Sequence, residues 1–162
     1  MTLGSLLRDA VQTCPADALA TTAIVVQHEG VALRANFADR DRYSATLLYL
    51  EAGSAEAGAA DDSGLERRVA ALIERFNYLE EPLELIELDR TDAIALLRSA
   101  PPQRDAHDLY YWEIRLTQTT EVTATLARYR WSPGMPEREA IAYPATFPMI
   151  ARLADSLIVG LE

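Results

Sequence analysis

The chain has no lysine; all fifteen basic residues among its 162 are arginine. Lysine chemistry is therefore excluded, including Schiff-base catalysis and the phosphate-binding lysine of a Walker-type loop. Cys14 is the only cysteine, which rules out an internal disulfide and a thiolate metal cluster. Histidine occurs twice, as His28 and His107. Gly-x-Gly-x-x-Gly, Gly-x-Ser-x-Gly and His-Glu-x-x-His do not occur. The seven glycines lie mostly between periodic segments, so no phosphate cradle is expected. No apolar run approaches the ~20 residues of a membrane span. The opening MTLGSLLRDAVQT lacks the basic-then-apolar order of a signal peptide.

A basic excess is missing as well. Twenty-five acidic residues against fifteen basic ones give a net charge of −10. Binding to nucleic acid or to anionic membranes is not expected, since both require a basic face. The chain is 49% hydrophobic and 25% charged, which is ordinary globular composition. The expectation is one soluble cytoplasmic domain, residues 1–162, with no cofactor and no metal.

The strongest pattern present runs from Tyr110 to Trp131, YYWEIRLTQTTEVTATLARYRW, which holds both tryptophans. Tyr110, Trp112, Ile114 and Leu116 alternate with Tyr111, Glu113, Arg115 and Thr117, the period of a half-buried strand. Val122, Ala124 and Leu126 resume the apolar series. A three-residue loop at 118–120 pairs Leu116 with Val122, Ile114 with Ala124 and Trp112 with Leu126, keeping one face apolar. Beyond Ala127 the phase slips, because Arg128 and Arg130 fall on the apolar side. A β-bulge at Ala127 or Arg128 is expected to correct it.

Elsewhere, residues 4–13 read as a short helix ended by Pro15. Strands follow at 22–28, 31–37 and 43–50, the last apolar on both faces. The small, acidic stretch at 53–63 reads as a flexible loop. Ser63 and Glu66 form a capping box for a helix with Leu65, Val69, Leu72, Ile73, Phe76 and Leu79 on one stripe. Residues 83–88 alternate like an edge strand but also fit helix. Thr91 or Asp92 caps a short helix through Arg98, and residues 101–108 are loop. A strand at 139–143 and a helix capped by Thr146 close the chain. The fold class is α+β: antiparallel strands packed against helices, with an order that allows two αβββα halves sharing one core.

Candidate chemistry is sparse. His107 lies in RDAHD, but one histidine with adjacent carboxylates lacks the convergence of a metal site. Cys14 sits at a helix C-terminus, where the dipole disfavours a thiolate. Glu80, Glu81, Glu84, Glu87 and Asp89 read as a solvated helix end and strand edge. The remaining candidates are on the outer side of the hairpin: Tyr111, Arg115, Arg128, Tyr129, Arg130 and Trp131. Aromatics with arginine are the types enriched at protein interfaces. The same set also fits core aromatics fringed by snorkelling arginines.

The C-terminal string RYRWSPGMPEREAIAYPATFPMIARLADSLIVGL carries Arg128, Tyr129, Gly134, Arg138, Arg152, Leu153, Asp155 and Leu157. It resembles small uncharacterised bacterial α+β proteins of the cyanobacterial kind, which carry no assigned chemistry. The acidic charge and the order of elements resemble type III secretion chaperone-like folds, although residues 83–99 depart from that order. The resulting expectation is a non-enzymatic binding or assembly protein, working with a protein partner or as a homodimer. The alternative is a small-ligand-binding protein with a pocket between sheet and helices. An enzyme would have to rely on Glu113 or His107.

Overall fold

The computed structural model describes residues 1–55 and 64–162. Helix α1 (Leu3–Thr13) is capped by Thr2, whose side chain accepts the Ser5 N–H, and it buries Leu7 and Val11. A single turn, α2 (Ala16–Leu19), brings Leu19 into the core. Strands β1 (Ile24–His28) and β2 (Val31–Arg40) join at Glu29-Gly30, both at positive φ. Strand β3 (Ser44–Ser54) and helix α3 (Gly64–Arg75) follow. Then come β4 (Leu83–Asp89), β5 (Ile94–Ser99), β6 (Gln103–Asp105), β7 (Asp108–Gln118) and β8 (Val122–Trp131). The chain ends with β9 (Glu139–Ile141), β10 (Tyr143–Thr146) and α4 (Phe147–Val159). The architecture is α+β, with an antiparallel sheet whose main path runs β1-β2-β3-β8-β7-β5-β4. Strand β8 is the middle of those seven.

Alternation places the apolar side chains of each strand on one face, and the helices cover that face. Leu33, Ala35, Leu50, Ala52, Leu97, Trp112, Ile114, Leu116 and Leu126 meet Leu7, Val11, Leu72, Phe76, Ile150, Leu153 and Leu157 in one core. Helix α4 is capped as its sequence implies, with the Thr146 hydroxyl accepting the Met149 N–H. Burying one such leucine or isoleucine stabilises the fold by about 1.5–3 kcal/mol.

Five expectations change, four of them in element bounds and pairing. Residues 91–98 are not a helix, so the second αβββα half lacks its leading helix. The Asp89 carboxylate instead accepts the N–H groups of Thr91 and Asp92, Ala93 takes positive φ, and β5 returns as a strand. Part of the expected 101–108 loop is β6, paired with β7. The expected flexible loop begins too early, because Gly53 and Ser54 belong to β3. Residues 56–63, the Ser63 cap among them, lie outside the described residues. Finally, the β7–β8 loop is Thr119 to Glu121, one residue later than expected. Leu116 therefore pairs with Ala124, Ile114 with Leu126 and Trp112 with Arg128. A two-residue slip preserves the faces, which is why alternation alone does not detect it.

No bulge interrupts the hairpin, since β7 and β8 pair continuously from Leu109↔Trp131 to Gln118↔Val122. The sheet accommodates the phase slip differently. Strands β3 and β8 pair over Ser54↔Val122 to Leu50↔Leu126 and then part. The gap is filled by β9 on β8 and β10 on β3. Arg128 stays on the helix side of this fork, opposite Trp112.

Candidate functional site

The strand faces divide the six candidate residues. Tyr111, Arg115, Tyr129 and Trp131 belong to the helix-free face, while Arg128 and Arg130 belong to the helix side. The six do not form one patch.

On the helix-free face, Tyr111 and Tyr129 face each other across the hairpin with ring centroids 6.0 Å apart. Glu113, the next outward residue of β7, is 5% exposed although no helix covers it. Two arginines that sequence reasoning does not place here provide the cover. The Arg98 Nη2 donates to Glu113 Oε1 at 3.1 Å, and Arg138 Nη1 donates to the same oxygen. The Arg98 guanidinium lies 4.6 Å over the Tyr111 ring and Arg138 lies 3.9 Å over Tyr129. The Glu113 hydrogen bond raises the Arg138 pKa further, against the opposing effect of burial. Two cations thus share one anion and cap two aromatic rings, a compact lattice of charge-assisted bonds. Arg98 is not found because its segment reads as helix; Arg138 stands out only in the C-terminal string, with nothing there to place it against Glu113.

Strand register extends this face into a row. Val25 pairs with Arg34, Arg34 with Glu51, Glu51 with Thr125, Thr125 with Arg115, Arg115 with Leu96 and Leu96 with Glu87. Direct partners share a face, so these seven side chains cross the whole sheet, about 29 Å at the usual strand spacing. Val25, Arg34, Arg115 and Glu87 are exposed. On β8, the middle strand, the outward side chains from Thr123 to Ala127 are small, and Tyr129 and Trp131 follow beyond them.

The helix side holds a buried polar cluster. Arg128 is 5% exposed, and its Nη2 donates to Gln103 Oε1 at 3.0 Å. Its Nη1 has no hydrogen-bond acceptor among the described residues and sits 3.9 Å from Glu81 Oε1. The guanidinium lies 5.4 Å from the Trp112 ring centre and 5.7 Å from that of Tyr143. The Trp112 backbone N–H donates to Ser99 Oγ at 2.7 Å, and that hydroxyl donates to Glu81 Oε1 at 3.0 Å. Glu80 accepts the Trp112 indole N–H at 3.0 Å and the Tyr143 hydroxyl at 2.5 Å. Burial opposes the Glu80 charge, but those donors and Arg128 together hold its pKa below the usual range. Burial, then the Glu80 partner, push Tyr143 up to about 12. Glu80 and Glu81 are therefore not simply a solvated helix end. Arg130 lies apart from them, paired with Asp108 at 3.0 Å and Glu139 at 3.5 Å.

Beside this cluster is a cavity of about 120 Å3 between sheet and α4, lined by Tyr78, Leu79, Glu80, Trp112, Tyr143, Met149 and Leu153. A wider open groove of about 1110 Å3 runs where the ends of α1, α3 and α4 meet; there Arg152 stacks 3.7 Å over Tyr78. His107 is exposed in the β6–β7 turn, and His28 is exposed at the end of β1. Cys14 is half-buried at the end of α1. Among the described residues, no three His, Cys, Asp or Glu side chains gather as metal ligands, and no helix is long and apolar enough to cross a membrane. The chain matches no protein-family model, no curated protein and no solved structure.

Proposed function

We propose that this chain is a non-enzymatic binding and assembly protein that works in the cytoplasm as a homodimer, using the helix-free sheet face as its contact surface. The observation that carries the reading is the outward row Val25, Arg34, Glu51, Thr125, Arg115, Leu96 and Glu87. It presents both signs of charge on one broad face, so a second copy finds opposite charges there. The Tyr111–Arg98–Glu113–Arg138–Tyr129 lattice fixes one end of that face in a rigid form, which limits the entropy lost on contact. With a net charge of −10, neither nucleic acid nor a membrane is the partner. Sedimentation velocity from about 1 to about 500 µM tests the reading, a range centred on ordinary weak-dimer affinities. The expected result is a concentration-dependent monomer–dimer equilibrium; a monomer throughout refutes it.

The second reading, a small-ligand protein, rests on the cavity beside Trp112 and Tyr143. Native mass spectrometry of the purified protein checks it: a retained small molecule supports it, and a bare polypeptide mass from every preparation counts against it.

A further inference from the structure

The row of outward side chains specifies more than a sticky face. We infer that two copies pack sheet to sheet about a twofold axis lying along β8, with Thr125 on the axis and Glu51 of each copy against Arg115 of the other. This rests on the homodimer reading above and adds the symmetry and the contacts.

Two sheets packed face to face keep their strands roughly aligned, about 10 Å apart. A twofold between them runs either along the row or along the strands. An axis along the row sets each residue against its own copy. Arg34 would meet Arg34, Glu51 would meet Glu51 and Arg115 would meet Arg115, all like-charge contacts. An axis along the strands reverses strand order across the interface. Over β3 it sets Glu51 on Glu51, and over β7 it sets Arg115 on Arg115. Midway between β3 and β8 it sets Arg34 on Arg115.

Of the placements that overlap at least five strands, two escape repulsion. Midway between β8 and β7, Arg34 meets Glu87, but Glu51 falls on Leu96 and Arg115 on Thr125. That pairs the rim charges and desolvates the central ones without partners, the costly arrangement. Over β8, Glu51 meets Arg115 twice near the centre. Arg34 and Glu87 then fall against Leu96 and Val25 at the rim, where water still reaches them. Unpaired charges then stay at the solvated rim, and every desolvated charge has an opposite partner. This placement also overlaps all seven strands, since β8 is the fourth. Thr123 and Thr125 are small enough to let the partner approach along the axis, whereas Ala127, paired with Glu113, is already buried.

A footprint of about 29 Å by five residues of strand covers roughly 500 Å2 per copy, at the small end of specific interfaces. The dimer is accordingly weak, with Kd in the micromolar range.

The test is complementation by sedimentation velocity, with thermal melts confirming that each variant is folded. Glu51→Arg alone brings two arginines together at both contacts, the introduced one and the native Arg115 of the other copy. Arg115→Glu alone brings two glutamates together in the same way, the introduced one and the native Glu51. Each is expected to weaken its own homodimer by about tenfold or more. Mixed one to one, the two variants restore both contacts. The arginine introduced in one meets the glutamate introduced in the other, while the native Arg115 of the first meets the native Glu51 of the second. The expected result is a heterodimer with affinity within about threefold of wild type. The double variant in one chain should also recover. If wild type dimerises but neither the mixture nor the double variant recovers, the twofold over β8 is wrong while the homodimer stands. Recovery instead by exchanging Arg34 and Glu87 places the axis between β8 and β7 and also overturns it. A wild-type monomer removes both readings.

Discussion

Replacing Arg128 with methionine tests how the sheet accommodates an arginine on its apolar side. Methionine keeps an unbranched apolar stem and removes the guanidinium that lies by Trp112 and Tyr143. Arg128 and Glu81 are 5% and 8% exposed, so removing the arginine leaves the Glu81 charge buried, with Ser99 as its donor. Breaking a buried pair from one side costs about 3–5 kcal/mol. Here the groups are 3.9 Å apart and share no hydrogen bond, which places the cost at the low end, about 3 kcal/mol. For a chain of this length that corresponds to a fall in Tm of about 6–12 °C. Urea denaturation of Arg128→Met, Glu81→Gln and the double variant separates the pair from its surroundings. The double variant should be more stable than the sum of the two losses predicts, by about 1–2 kcal/mol. A single Arg128→Met that unfolds within about 0.5 kcal/mol of wild type would refute the reasoning, because the guanidinium would then not be serving as a counter-charge.

Other consequences are open to direct measurement. A Cβ on Gly4 would lie 2.3 Å from the Ala151 carbonyl oxygen and 2.6 Å from the Asp155 carboxylate, so Gly4→Ala must push α1 from α4. A loss of about 1–3 kcal/mol is expected by urea denaturation. Tyr143, held up to about 12, should be among the last tyrosines to ionise, and an ultraviolet tyrosinate titration should lose that late step in Tyr143→Phe. Because its folded pKa is raised, its stabilising effect is complete below about pH 10 and disappears as pH rises toward 12. Glu80 works in the opposite direction: its effect is present above the ordinary glutamate range and is lost as pH falls through its depressed pKa. Wild type and Glu80→Gln should therefore differ in urea midpoint at neutral pH and converge in acid.

The sequence alone determined which side chains share a face. Period-two alternation in Tyr110 to Thr117 and helical spacing in Phe147 to Leu161 are local properties, and they assigned each side chain its face. Burial followed the helical stripe but not the strand, where the outward Tyr111 and Glu113 are buried as well. The Thr146 cap was equally local, a hydroxyl reaching an N–H three residues on. Strand partners were not local. A two-residue slip of the hairpin leaves every face unchanged, so Trp112 opposite Arg128 was invisible in the pattern. The five apolar residues Ala93 to Leu97 suit helix and strand alike, and the turn held by Asp89 decided between them. The expected bulge failed for a related reason. Arg128 is tolerated on the apolar side because Glu81 and Gln103, from distant segments, meet it there. Arg98 and Arg138 likewise reach Glu113 only after β5 and the 132–138 connection close on the hairpin. Alternation states that a side chain points inward or outward; the fold alone decides what it meets, because charge compensation and cross-sheet rows are made by segments far apart in the chain.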